Sequence, residues 1–285
     1  MATSLSSKIV SLYFHFVKKY SDEGWEKVIA KKRNKKEKEP RHPKGINYRL
    51  VDNTYGKIFY LNENSSSKYT VFYIHGGVFI RDFSRFHWRF IKKIIKATDA
   101  KLIVPAYKLV PYGTWEDAFN LILPLYKKYI QEHPNEKIII MGDSAGGGLS
   151  LSLSEHFLKE GIKIPDEIIL LSPLMDGSLK TADTKNDPWL TISYRVPVKY
   201  YADKLDINDY RISPLFGEIN GLKNITLFAG TREMLYQDEL LFFEKAKQEE
   251  NNELIIGQGM NHVYPLLPIK EAKEAIKIII YKITR

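Results

Sequence analysis

The chain contains no cysteine. That excludes a disulfide scaffold, a thiolate zinc site and a cysteine nucleophile, and it carries no information about redox compartment. No apolar run approaches the roughly 18 residues of a membrane-spanning helix. There is no phosphate-binding loop, no dinucleotide glycine pattern and no internal repeat. What is present is ordinary for a globular protein. The 285 residues are 44% hydrophobic and 27% charged. They are enough for one large domain or two ordinary ones, with a sizeable core.

The formal charge of +9 is unevenly spread. Residues 1–45 hold 12 Lys/Arg against 5 Asp/Glu, and the rest of the chain is close to balance. The plain reading is a solvated, Lys-rich helix face; contact with phosphates or anionic lipid heads is the alternative. Residues 8–20 (KIVSLYFHFVKKY) look only superficially like a leader. The apolar part is short, contains His15, and runs into Lys18-Lys19 rather than a small-residue cleavage site. The expectation is an amphipathic helix with Ile9, Leu12, Tyr13, Phe16 and Val17 on its apolar face, and a cytoplasmic protein. Residues 27–44 are charged and end in Pro40 and Pro43, which reads as a linker.

Beyond this point the chain alternates. Strand-like runs fall near 46–51, 55–61, 69–74, 100–104, 137–141, 167–171, 224–229 and 253–256. Helical patterns fall near 84–97, 115–132, 146–160, 236–250 and 269–283. Hairpin-like strands followed by repeated βα units predict an α/β fold, a mostly parallel eight-stranded sheet with helices on both faces. Residues 176–215 break the rhythm; they are turn-rich and aromatic and read as an insertion.

The most informative stretch is 137–159. A buried strand runs into Gly142-Asp143-Ser144-Ala145-Gly146, and a helix follows at once. This is G-x-S-x-G in strand–turn–helix context. A serine hydroxyl is a poor nucleophile unless it projects clear of its neighbours and meets a base; a sharp turn does this, and crowding around it requires flanking glycines. The helix that follows aims its first N–H groups at an oxygen that becomes negative. Upstream, strand 69–74 ends in His75-Gly76-Gly77-Val78, where backbone amides can turn toward the same oxygen. Gly76, Gly77 and Val78, with Ala145, are the candidate oxyanion-hole residues; His75 itself reads as a buried structural histidine.

These motifs resemble the hormone-sensitive-lipase-like group of α/β-hydrolase esterases. The resemblance extends to Pro105–Pro111 followed by Glu116-Asp117-Ala118, and to Ser172-Pro173-Leu174-Met175-Asp176; it runs from about residue 69 to 265. Val78 departs from it, standing where the family usually has a third glycine. Because valine resists a left-handed backbone, the loop is expected to take a conformation valine tolerates.

The resemblance implies a triad in the order serine, acid, histidine. Downstream of Ser144, His262 lies in a Gly-containing loop after the last strand-like run, and it is the expected general base. For the acid, Glu233 occupies the place of the family's aspartate after strand 224–229, with Asp238 as rival. The resemblance also implies a helical cap made of residues 1–45 and 176–215, over a hydrolase core of 46–175 and 216–285. The expected activity is hydrolysis of short- to medium-chain acyl esters by a serine nucleophile. No metal or organic cofactor is called for, and no nucleic-acid partner is expected. Contact with a membrane surface through the basic segment and a homodimer stay open. The rival readings are a hydrolase-fold binding protein that has lost its chemistry, or an amidase or lactonase using the same residues.

Overall fold

The computed structural model describes residues 3–285. Its centre is one eight-stranded sheet: β1 (Tyr48–Asn53), β2 (Gly56–Leu61), β3 (Tyr69–Ile74), β4 (Lys101–Tyr107), β5 (Lys137–Asp143), β6 (Glu167–Leu171), β7 (Ile225–Gly230) and β8 (Glu253–Gly257). The spatial order is β1-β2-β4-β3-β5-β6-β7-β8. β2 runs antiparallel to both neighbours, and the strands from β4 to β8 are parallel.

Alternation within the central strands feeds two separate apolar layers, as a period of two requires. Ile138 and Ile140 of β5 face one layer, with Phe72 and Ile74 of β3. Ile139 and Met141 face the other, with Val71 and Tyr73. The first layer is closed by α4 (Trp115–Glu132), α5 (Ala145–Lys159) and α7 (Tyr236–Ala246), and the second by α3 (Arg85–Thr98) and α8 (Ala272–Thr284). Because β3, β5, β6 and β7 are parallel, their C-terminal ends lie along one edge, and the chemistry-bearing loops leave from there.

The N-terminal region departs from expectation in two ways. It holds two helices, α1 (Leu5–His15) and α2 (Asp22–Arg33), so the first part of the expected linker is helical. The local signals favour this. Ser21 caps the Gly24 N–H at 3.2 Å, Asp22 and Glu23 open the helix, and Lys31, Lys32 and Arg33 close it, all matching the helix dipole. Trp25 and Ile29, four apart, are buried. Trp25 packs against Tyr194 of the insertion at 5.5 Å between ring centroids. Arg195 pairs with Asp22 across the same contact. The insertion supplies α6 (Arg195–Ala202), which lies against α2.

The second departure is the orientation of α1. Ser7, Ser11 and Phe14 face the protein. Leu5, Ile9, Leu12, Tyr13 and Phe16 face solvent. The helix is held by polar contacts at its start: the Ser4 N–H and Oγ donate to the Glu271 carboxylate at 2.7 and 2.8 Å. The expected apolar face therefore points mostly away from the protein.

Candidate active site

The turn between β5 and α5 is forced by close packing. A Cβ added to Gly146 would sit 2.2 Å from the Ile74 carbonyl oxygen, and one added to Gly142 would sit 2.3 Å from that of Gly146. Ser144, between them, has φ 52° and ψ −124°, a conformation that costs a non-glycine residue about 1–3 kcal/mol. The turn is held by the Ser144 N–H donating to Leu171 O and the Leu174 N–H donating to Ser144 O, both at 2.9 Å.

The loop after β8 brings His262 over this turn. Its Nε2 lies 2.8 Å from Ser144 Oγ, and its Nδ1 lies 2.5 Å from Glu233 Oε2. The other Glu233 oxygen accepts from the Gly230 N–H at 2.5 Å and from Ser172 Oγ at 2.9 Å. Ser172 Oγ accepts in turn from the Val263 N–H at 2.9 Å, so one hydroxyl braces both the acid and the residue after the histidine. Ser144, His262 and Glu233 are thus brought together. Asp238 is not: it is buried in α7 and accepts a hydrogen bond from Thr181 of the insertion. His156, the other histidine downstream of Ser144, sits on α5 and meets the Tyr210 hydroxyl at 2.9 Å. Glu239 is wholly buried near Glu233. Burial pushes its carboxyl well above the usual range, with Glu233 and Asp238 adding repulsion.

The expected oxyanion loop requires a correction. The Gly76 N–H donates to Asp143 Oδ1 at 3.1 Å and is not free for a substrate oxygen. Asp143, the residue before the elbow serine, folds back over the loop. Its Oδ1 also accepts from the Tyr73 hydroxyl at 2.5 Å, and its Oδ2 lies 3.2 Å from His87 Nε2. Burial pushes the Asp143 carboxyl up, but His87 and the surrounding donors outweigh it and hold the carboxyl below its ordinary value. Among the described residues, the amides of Gly77, Val78 and Ala145 donate to no protein acceptor, and all three residues line the same cavity as Ser144.

Val78 also departs from expectation. It adopts φ 49°, followed by Phe79 at 59°, so valine does enter the left-handed region it resists. The surroundings enforce this. The Ile80 and Arg81 N–H groups donate to Gly77 O, the Val110 N–H donates to Phe79 O, and Phe79 stacks on Tyr201 at 3.7 Å. His75 stacks on Tyr107 at 4.8 Å and hydrogen-bonds Gly76 O through Nδ1. Burial, reinforced by nearby His87, lowers its pKa to about 4.

The cavity over Ser144 has a volume of about 260 Å³. Its floor carries Ser144, His262 and the three free amides. Its roof comes from two distant parts of the chain: Tyr13 and Phe14 of α1 with Val17 just past it, and Leu179, Trp189, Leu190, Tyr194 and Val198 of the insertion. Phe14 and Trp189 stack at 4.3 Å with rings 6° from parallel. Asp187 ties the roof to the floor, since its Oδ1 accepts from the Trp189 and Leu190 N–H groups and its Oδ2 from that of Met234, next to Glu233. Ser172, Asp187 and the Tyr73–Asp143–His87 set carry no recognisable spacing of their own.

A family described as the alpha/beta hydrolase fold matches residues 71–266. An esterase of Acinetobacter venetianus is 30% identical over 226 residues, covering 76% of this chain and 75% of that one. The hormone-sensitive lipase of Bos taurus is 28% identical over 112 residues, covering 38% of this chain and 15% of that one. A solved Staphylococcus aureus structure, provisionally described as an esterase, superposes with a TM-score of 0.85 at 29% identity, covering 95% of each chain.

Proposed function

The chain belongs to the α/β-hydrolase family, among the esterases that resemble hormone-sensitive lipase, and on that premise we propose that it hydrolyses carboxylic esters through an acyl-enzyme on Ser144. The observation that carries this reading is the continuous contact from Ser144 Oγ through His262 to Glu233, at 2.8 and 2.5 Å, beside three unoccupied amides.

Ser144 Oγ attacks the ester carbonyl carbon and passes its proton to His262 Nε2. Glu233 holds the ring through Nδ1–H and stabilises the imidazolium without taking its proton. The carbonyl oxygen, now negative, accepts from the Gly77, Val78 and Ala145 amides, reinforced by the N-terminus of α5. The intermediate collapses, and the leaving alcohol takes the proton back from Nε2. Water then enters, gives a proton to Nε2 and attacks the acyl carbon; the acid leaves and Ser144 is restored. Residues 1–45 and 176–215 act as the cap. A cavity of about 260 Å³ walled by Phe14, Trp189 and Leu190 suits short to medium acyl chains, being below the usual size of drug-binding pockets.

The test is a panel of p-nitrophenyl esters of increasing acyl length against the wild type and Ser144→Ala. The wild type should turn over the shorter members, and the variant should lose about 10⁴-fold or more in kcat. Equal turnover by both proteins, or turnover by neither, sinks the reading.

A further inference from the structure

Surface helices normally bury their apolar stripe and expose their polar one. α1 does the reverse. Leu5, Ile9, Leu12 and Phe16 recur at i, i+4, i+7 and i+11, which puts them on one face, and they are 74%, 59%, 59% and 80% exposed. Ser7 and Ser11 take the inward face. This helix is the clearest cluster of large exposed apolar side chains in the described chain. An exposed apolar patch with a polar rim marks an interaction surface.

The rim is cationic. Lys8 lies on α1 beside the stripe, and Lys18 and Lys19 follow the helix; all three are exposed. Arg85 and Arg89 of α3 line a groove together with Ile9, Tyr13 and Phe14. Lys93 lies close to Arg89 and to Lys273 at the start of α8, extending the same flank. Among the described residues none of these cations has an ion-pair partner. The nearby acids are occupied: Glu271 accepts from Ser4, and Glu274 pairs with Lys277. Tyr13 and Phe14 belong both to this groove and to the wall of the Ser144 cavity, so the patch reaches the cavity mouth.

We propose that the outward face of α1 docks on an anionic phospholipid surface, with the Leu5–Ile9–Leu12–Phe16 stripe entering the interface and the surrounding lysines and arginines meeting phosphate headgroups. An in-plane helix with an apolar stripe and a basic flank has the physical requirements for this. The charge distribution favours lipid over a second copy of the chain, since pairing two copies through this face would set unpaired cations against one another. The docking does not depend on the esterase reading. If that reading holds, docking sets the cavity mouth against the phase in which acyl esters dissolve.

The experiment is flotation of the full chain with vesicles of pure phosphatidylcholine and of phosphatidylcholine mixed with phosphatidylglycerol. The wild type should float with the anionic vesicles, bind the neutral ones far less, and dissociate as salt is raised. Ile9→Gln/Leu12→Gln/Phe16→Gln should lose about ten-fold or more in vesicle affinity, and Arg89→Glu several-fold. Turnover of a water-soluble p-nitrophenyl ester should stay near wild type in both variants. If the triple variant does not fold, Phe16→Gln alone carries the same comparison. Failure of the wild type to bind anionic vesicles overturns the proposal, and so does undiminished binding by the apolar variants. A wild-type dimer in sedimentation velocity that these substitutions convert to monomer also overturns it, and assigns the face to a second copy. Vesicle binding without any ester turnover leaves docking standing and removes the esterase reading instead.

Discussion

The floor of the cavity holds Ser144, His262 and Glu233 through a buried chain of hydrogen bonds, whereas the roof holds Phe14 and Trp189 mainly by an aromatic stack. On the floor, the two carboxylates that brace the site have partners that fix their direction: Ser172 and Gly230 for Glu233, Tyr73 and Gly76 for Asp143. The roof is tied to the rest by hydrogen bonds at Asp187, Thr181 and Ser4 and by apolar packing such as that of Tyr201 on Phe79. The Trp189 indole N–H has no partner among the described residues. Groups that move protons need directional control, which hydrogen bonds supply. Groups that enclose an acyl chain need area and shape, which aromatic packing supplies without fixing a single geometry. The two regions should therefore fail differently when altered.

The largest difference is expected at the floor. Glu233→Gln keeps the volume but removes the charge that, in the proposed mechanism, orients and stabilises the His262 imidazolium, so kcat should fall by about 10³–10⁴-fold. Asp238→Asn should change kcat by less than about ten-fold, because its carboxylate touches Thr181 rather than His262. Steady-state kinetics on p-nitrophenyl acetate separates them. A collapse of Asp238→Asn with Glu233→Gln active would reverse the assignment of the acid.

A smaller effect is expected from the buried imidazole that precedes the Gly76–Val78 loop. His75 has its pKa lowered to about 4 in the folded chain, against 6.5 for a free histidine. Between those values the unfolded chain binds a proton that the folded chain does not, so stability falls as pH drops through this window and is restored above it. The full contribution is roughly 3 kcal/mol, at about 1.4 kcal/mol for each pH unit. His75→Phe retains a ring to stack on Tyr107 and removes the titration. Urea unfolding of both proteins at several pH values between 4 and 7 should show the wild type losing stability faster on acidification. Parallel curves would mean that His75 takes up its proton without cost in the fold.

The same contrast explains what could be read from sequence. The elbow was legible because its glycines, buried strand and following helix are local in the chain and each answers a steric demand. His262 was legible as the last histidine, and Glu233 by its place after β7. The roof was much less so. A charged run concealed α2, whose two buried residues, Trp25 and Ile29, are outnumbered by lysines. The periodicity of α1 identified an apolar stripe, but periodicity cannot say which side meets the protein, and here small serines take the inside. Two details of the floor were also hidden. The Gly76 amide is spent on a side chain 67 residues away, and Val78 is held at φ 49° beside Phe79, which Val110 and Tyr201 fix through contacts that no local pattern announces.

The smallest expected effect concerns the roof and bears most directly on the division of labour. Trp189 stacks on Phe14 and meets the His262 ring in a T-shaped contact, 5.8 Å between centroids, so it touches both regions. If it serves the acyl wall, Trp189→Ala should raise KM by about ten-fold for the longest ester accepted, since the lost contact is apolar area, and should leave kcat on the acetyl ester within about three-fold. The ratio should grow with each methylene that reached the missing ring. If it serves the imidazole, kcat should fall equally for every chain length, because each turnover passes through the same His262. The hydrogen bonds from Ser144 and Glu233 already fix that ring in two directions, and a third constraint from an edge contact adds little. A uniform fall in kcat would mean that the aromatic roof is part of the proton-transfer machinery and that the contrast between the two regions is wrong.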